Sequence, residues 1–327
     1  MPLSYAAGMN LPDLAELLPR LQHPQVRDLA WTILAPPLLR EAPCTQRHPL
    51  AASRWGREPG LLADWLLRQD AAPSLLESWL GRSSIRRLGL YYERLWQFIL
   101  SEAPDIQLLA ANLPIRQAGH TLGELDLLLH DPEGVQHLEL AVKFYLGLDR
   151  HDGHQHAHWL GPGSHDRLDI KLDHLCRHQL PLASRPQALA VLGELTRSPV
   201  HSSFWLGGYL FEPWPQGCAA PQGANPAYLR GRWLRQAQWA RYQARIPDAR
   251  WLPLPRPAWL APARMEASQL WESDRFAAWL ATQPAAARAQ LLVRVETTTL
   301  GDCLEQERLF LVSDEWPRVP AWSHTSE

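Results

Sequence analysis

Apolar residues recur at helical spacing through the first eighty positions, and the pattern then switches to the alternation of strands. Leu14, Leu17, Leu18 and Leu21 repeat every three or four residues, as do Leu61, Leu62, Trp65 and Leu66. Such spacing sets them on one face of a helix. Pro36-Pro37 and Pro43 interrupt the run, so residues 1–80 read as a helical N-terminal region in short pieces. The stripe Leu88, Tyr91, Tyr92, Leu95, Trp96 and Ile99 predicts a helix over 84–101. Strands are expected over 106–116, 123–130 and 135–146. Helices follow over 164–180, with Leu168, Leu172 and Leu175 on one side, and over 186–195. A strand over 203–211 comes next. This order predicts an α/β fold with an antiparallel hairpin and one crossover. Farther on, 291–295 and 308–312 read as paired strands.

Between the second and third strands, Asp131-Pro-Glu-Gly134 suits a type I turn, with Asp first, Pro second and Gly fourth. A two-residue loop pairs Asp131 with Gly134, and counting outward sets Asp126 opposite Glu139. Cross-strand partners share a face, with Cβ atoms about 5 Å apart. A bulge at the turn shifts this register by one; the unbulged register gathers the charges on one face. Alternation adds Glu124, Ala141 and Lys143 to that face. Buried carboxylates need partners or a cation. Two of them repel, and a divalent ion removes the repulsion. Mg²⁺ takes one or two carboxylates plus water and phosphate oxygens, and activates bound water. A hairpin with one wet face, its charges solvated and partly neutralised by Lys143, accommodates the same residues.

Composition narrows the choices modestly. The 327 residues are 46% hydrophobic and 20% charged, as in a globular protein. A formal net charge of −2 supplies no global basic field, so nucleic acid would need a local patch. The 29 prolines and 16 tryptophans concentrate toward the C-terminal half, in pieces such as Phe211-Glu-Pro-Trp-Pro215 and 251–259. These read as extended segments with tryptophans supplying buried area. Cys44, Cys176, Cys218 and Cys303 are widely spaced and form no CxxC pair, so reduced thiols are expected rather than a disulfide framework or zinc site. Neither a secretion signal nor a membrane span is legible, and a cytoplasmic location is expected.

Gly123-Glu-Leu-Asp126, a turn, and Leu138-Glu139 resemble the core of the PD-(D/E)XK nuclease superfamily, in the Gly-Glu-Ile-Asp version of Holliday-junction-resolvase-like members. Glu93, in the preceding helix, stands where those families often carry a glutamate. The resemblance covers roughly residues 84–211. It implies a restriction-endonuclease-like αβββαβ core over 81–212. A helical region over 1–80 precedes it, and a Pro/Trp-rich extension over 213–327 packs on it. It implies Mg²⁺ or Mn²⁺ held by Asp126 and Glu139, support from Glu93, and Lys143 positioning the nucleophile. Lys171, Arg167 and Gln179 would contact substrate, and the partner would be nucleic acid, DNA before RNA. The superfamily pattern has lysine two residues after the glutamate; this chain has Ala141 there and Lys143 two further on, about 13 Å from Glu139 along the strand. Lys171 is a second candidate for that role. Outside the core, Gly161-Pro162, 166–172, 178–180 and the Trp–Pro pattern of 251–259 resemble an uncharacterised bacterial family, domain of unknown function 1853 type.

The expected function is phosphodiester hydrolysis. The alternative is a non-catalytic nucleic-acid-binding or protein-interaction module on the same fold, which Ala141 favours. His151, His154, His156 and His158 with Asp149 and Asp152 read as an exposed loop or a zinc-type site. Asp166, Arg167, Asp169, Lys171 and Arg177 read as a phosphate-facing or merely solvated helix. Two basic groups read as base-stacking patches or as surface arginines beside core aromatics: Arg82, Arg86, Arg87 and Arg94, and Arg230, Arg232 and Arg235 near Tyr228 and Trp233. There is neither a phosphate loop nor a nucleophile elbow.

Overall fold

Proline sets where several of the helices begin. In the computed structural model, which describes residues 9–82, 87–284, 287–299 and 301–317, α1 (Leu14–Leu17) is capped by Asp13, whose carboxylate accepts the amides of Ala15 (2.7 Å) and Glu16 (3.2 Å). Proline is the first residue of α2 (Pro24–Leu34) and of α3 (Pro59–Ala71), where its missing N–H leaves no bond unmade. Then come α4 (Ser74–Gly81) and α5 (Leu88–Glu102). The strands β1 (Gln107–Gln117), β2 (His120–Asp131) and β3 (Gly134–Gly147) follow, with a short β4 (Trp159–Leu160). Next are α6 (Leu168–His174), α7 (Leu180–Leu182), α8 (Pro186–Leu195) and β5 (Val200–Pro213). The chain closes with β6 (Leu229–Arg235), α9 (Trp239–Gln243), β7 (Arg250–Pro253), β8 (Arg264–Glu266), α10 (Ser273–Ala281), β9 (Gln290–Thr297) and β10 (Asp302–Val312). The mixed α/β class and the order helix, three strands, helices, strand are as expected. The proposed helix start at 84 and Arg86 lie outside the described residues. No helix among the described residues is long and apolar enough to cross a membrane.

Two compact units share this chain. The first holds residues 1–142, 171–208 and 223–228; the second holds 143–170, 209–222 and 229–327. In the first, β1 pairs antiparallel with β2, and β2 with β3. The β2–β3 register runs from Asp131↔Gly134 through Leu127↔Leu138, the unbulged count. Asp131 folds the turn by accepting the Glu133 amide (2.8 Å) and is held by Arg47 (2.6 Å). Ile115, Leu125, Leu128 and Val135 pack against Leu182, Ala188 and Leu192. A Cβ at Gly123 would meet the Leu182 side chain at 2.8 Å, so glycine there permits close approach of the 180–182 turn to β2.

The interruption expected at Pro36-Pro37 and Pro43 is a long one, with no helix from 35 to 48. Residues 38–47 form an irregular, bent segment beside β5, with bonds between Phe204 and both Thr45 and Arg47, and between Leu38 and Leu206. His48 is fully enclosed there. Its Nε2 bonds the Ile33 carbonyl (3.0 Å), its Nδ1 accepts the Leu50 amide (3.0 Å), and the Trp96 and Trp205 rings flank it. Burial pushes its pKa down to about 4. The expectation of reduced thiols is corrected here: Cys44 and Cys176, 132 residues apart, form a disulfide. Spacing along the chain carries no trace of a pairing made by the fold. Cys218 and Cys303 are free.

In the second unit β6 runs parallel to β5 and to β10, β10 antiparallel to β9, and β9 antiparallel to β7. Leu291 faces Phe310, so the expected late strand pair forms. Its core is aromatic: Trp214, Trp239, Tyr242, Trp251 and Phe276 pack with Leu292, Leu309 and Leu311. This is where the surplus of tryptophan goes.

Candidate functional site

In the first unit, the β2–β3 ladder carries the geometry. The last recorded pair is Leu127↔Leu138, and the same count sets Asp126 opposite Glu139. At that level the Leu140 amide donates to Asp126 Oδ2 (2.9 Å). A backbone donor is thus spent on orienting a carboxylate. The wet-face reading is corrected: Glu139 and His137 are fully buried. Glu139 Oε1 accepts from His137 Nε2 (2.9 Å), whose Nδ1 bonds Ser202 Oγ (3.0 Å). Its Oε2 accepts from Gln179 Nε2 in a short bond.

Gln179 is itself held by two donors. Its Oε1 accepts from Lys171 Nζ (2.8 Å) and from His174 Nδ1 (3.0 Å). The amide therefore faces a cation with its oxygen and a carboxylate with its nitrogen. This alignment depends on a local irregularity. Eight residues of regular helix would rotate Gln179 about 80° away from Lys171. Residues Leu175–Gln179 instead form one π turn, with Leu180 N bonded to Leu175 O. The extra residue brings the two side chains back onto one face. Pro181 supplies a reason, since its nitrogen cannot donate to the carbonyl four residues earlier. The expected helix over 164–180 accordingly begins later, at Leu168, and is broken by the wide turn. Ser164 has φ of 65°, which excludes it from a right-handed helix.

The third acid comes from α5. Its apolar face buries Tyr92, Leu95, Trp96 and Ile99, leaving Glu93 and Gln97 together on a polar edge. Asn112 of β1 joins them, donating from Nδ2 to Glu93 Oε2 (3.3 Å) and accepting at Oδ1 from Gln97 Nε2 (2.8 Å). Asn112 sits at φ of 50°, which asparagine tolerates better than most residues. The β1–β2 register sets it opposite Asp126 by count.

Electrostatics tie these acids together. Burial, then the charge on Glu139, push the Asp126 carboxyl up to about 8, with Glu93 adding to the rise; the Leu140 amide and Lys171 oppose it. Glu93 is raised by burial, with Glu139 and Glu124 contributing, while Asn112 and Lys171 pull it down. Asp126 Oδ1 and Glu93 Oε1 accept no hydrogen bond from the described residues. Such open oxygens beside mutually repelling carboxylates fit a divalent cation in donor chemistry. No group of three or more His, Cys, Asp or Glu among the described residues is drawn together as a ligand set.

Glu93, Asp126, Glu139, Lys171 and Gln179 thus gather in one unit. Two other expected site residues are engaged in the second unit. Lys143 Nζ is 2.5 Å from Asp166 Oδ2, and Tyr145 donates to the same carboxylate (3.2 Å). Arg167 binds Asp169 through Nε and Nη2 (2.6 and 2.9 Å). The histidines form no ligand set: His151 stacks on His158, His158 lies 3.3 Å from Asp152, and His156 bonds the Gln222 carbonyl. The arginine groups are occupied as well. Arg82 and Arg94 lie over the Trp79 ring; Arg230, Arg232 and Arg235 pair with Glu212, Glu307 and Asp149.

Sequence reasoning missed His137, Asn112 and Gln97. One signal was available: an asparagine and a histidine interrupt apolar strands. Another lay in composition. The chain contains only two lysines, Lys143 and Lys171, among its 32 basic Lys and Arg residues. Arginine serves nearly everywhere else.

Fold and site together define a mixed α/β protein with an acid-lined centre where a helix meets a hairpin. Residues 27–312 match the family described as a domain of unknown function, DUF1853, and the chain belongs to it. No curated protein and no solved structure matches the chain.

Proposed function

We propose that the acid-lined centre binds Mg²⁺ or Mn²⁺ and hydrolyses phosphodiester bonds of nucleic acid, DNA in preference to RNA, on a restriction-endonuclease-like fold. The observation that carries this reading is the placement of Asp126 opposite Glu139 by strand count, with Asn112, opposite Asp126 on its other side, holding Glu93, and with one of only two lysines in the chain bonded to Gln179, the partner of Glu139. The resemblance of Gly123-Glu-Leu-Asp126 and Glu139 to the PD-(D/E)XK pattern points the same way.

A bound cation supplies Lewis acidity toward a phosphate oxygen and an acidified water. Asp126 would hold it through Oδ1, its other oxygen being fixed by the Leu140 amide. Glu139 would contribute from a carboxylate whose orientation His137 and Gln179 set, as partners beyond the ligands commonly do. Glu93 would bind through water. Lys171, steered by Gln179, would offset the charge that develops on the phosphate. It takes the part that the superfamily gives to a lysine at the position of Ala141.

A second reading has its own support. Both oxygens of Glu139 are already bonded and its side chain is sealed from solvent, which suits a binding module that has lost catalysis. Incubating the full chain with labelled branched and single-stranded DNA in Mg²⁺ or Mn²⁺ separates the two. Hydrolysis that disappears in Asp126→Ala, with the circular-dichroism melt retained, supports the enzyme. Cleavage by Asp126→Ala at the parent rate removes Asp126 from the mechanism. Binding without cleavage by the parent supports the module.

A further inference from the structure

A cleft of about 610 Å³ in the second unit is lined by Trp214 and Gln216 after β5, Arg232 of β6, and Arg241 and Arg245 at α9. Nothing in the acid-lined centre uses it. Arg241 lies in α9 and Arg245 in the turn that follows it. Their guanidinium carbons lie 5.4 and 6.0 Å from the centroid of the Trp214 ring, and Arg245 also lies 5.6 Å from that of Tyr242. Trp214 and Tyr242 belong to the aromatic core, so the stacked guanidiniums rest on a rigid base. Neither arginine has a carboxylate within ion-pair distance among the described residues. The rest of the lining is nearly balanced: Arg232 leans on Glu307 (3.4 Å), and Glu212 pairs with Arg230 (3.1 Å).

We infer that this cleft binds a phosphate ester of nucleotide size, with Arg241 and Arg245 as the phosphate fork and Trp214 as their support. Two uncompensated guanidiniums match the two charges of a phosphate monoester or two successive phosphodiester groups. Arginine's planar donors suit phosphate oxygens bidentately, where a carboxylate would occupy one fork only. The volume falls within the range of small-molecule sites and exceeds what a bare anion fills. The phosphate can be free, as in a nucleotide, or part of a nucleic-acid backbone. The chemistry is shared, and the experiment tells them apart.

The test is calorimetric titration of the full chain with adenosine, adenosine monophosphate and a single-stranded twelve-mer, in metal-free buffer at two salt concentrations. At least one phosphate-bearing probe should bind, adenosine should not, and raised salt should weaken the binding. Tighter adenosine monophosphate identifies a free-nucleotide site; a tighter twelve-mer identifies a backbone contact. In Arg241→Ala/Arg245→Ala the affinity should fall at least tenfold with the thermal melt unchanged, and Arg241→Lys/Arg245→Lys should fall between. Asp126→Asn should leave binding intact, which separates this site from the acid-lined centre. The inference is overturned if neither phosphate probe binds the parent, if the double alanine variant binds as tightly as the parent, or if Asp126→Asn abolishes binding.

Discussion

Arginine supplies all but two of the chain's 32 basic Lys and Arg residues; of the two lysines, Lys143 pairs with Asp166 and Lys171 donates to Gln179, whose amide in turn donates to Glu139. An ammonium is compact and offers three rotatable donors, whereas a guanidinium is a broad planar fork. Lys171→Arg should therefore preserve charge yet disturb the contact to Gln179, lowering any metal-dependent cleavage at least tenfold while Lys143→Arg lowers it less. Equal effects of the two changes would contradict the role given to Lys171. His48 sets a separate pH dependence. Its folded pKa of about 4 lies below the unfolded value near 6.5. Its contribution is therefore complete above about 6.5 and is lost as pH falls toward 4. Between pH 7 and 5 this amounts to about 2 kcal/mol of unfolding free energy. Denaturant melts of the parent should show that loss, and His48→Gln, though less stable at pH 7, should show a flatter profile. Asp126 works in the opposite sense. Its raised pKa makes the metal-free fold less stable as pH rises from about 4 through 8, so Asp126→Asn should melt higher than the parent at pH 9 by a wider margin than at pH 5.

At the scale of elements, much was legible and the rest failed for identifiable reasons. The turn Asp131-Pro-Glu-Gly134 fixed the hairpin register, since Asp and Pro each have one favoured place in that turn. The helix at Pro186–Leu195 and the pair β9–β10 also followed from periodicity and flanking prolines. The π turn did not. Pattern reasoning assumes 3.6 residues per turn throughout, and Gln179 could be put near Lys171 only by breaking that assumption. Asn112, Gln97 and His137 were hidden because single polar residues in apolar elements have no period. The Cys44–Cys176 disulfide was missed for a related reason: residues 132 apart meet only once the fold exists. That bond ties the stretch after α2 to the π turn carrying Gln179. Thiol titration of the unfolded, unreduced protein should find two free thiols, Cys218 and Cys303; four would contradict the bond. Reduction should lower stability, by up to about 5 kcal/mol for so long a loop on chain-entropy grounds. An unchanged denaturation midpoint would show that the cross-link contributes nothing.

For the whole molecule, the two compact units trade the chain back and forth, at 142, 170, 208, 222 and 228. The pattern of the sequence, taken in consecutive blocks, suggests boundaries at 80 and 212. Both β3 and β5 contribute their first part to one unit and their last part to the other. The acids of the first unit and the lysine–aspartate pair of the second are thus neighbours in sequence with different surroundings. The ion site proposed for Glu93, Asp126 and Glu139 lies in the first unit alone. Titration of Mn²⁺ into the metal-free full chain, followed by electron paramagnetic resonance, reads occupancy of that site. The parent should show one saturable site, at least tenfold weaker in Asp126→Asn and unaffected by Arg241→Ala. Absence of saturable binding in the parent, or equal affinity in Asp126→Asn, would contradict the proposed ion site.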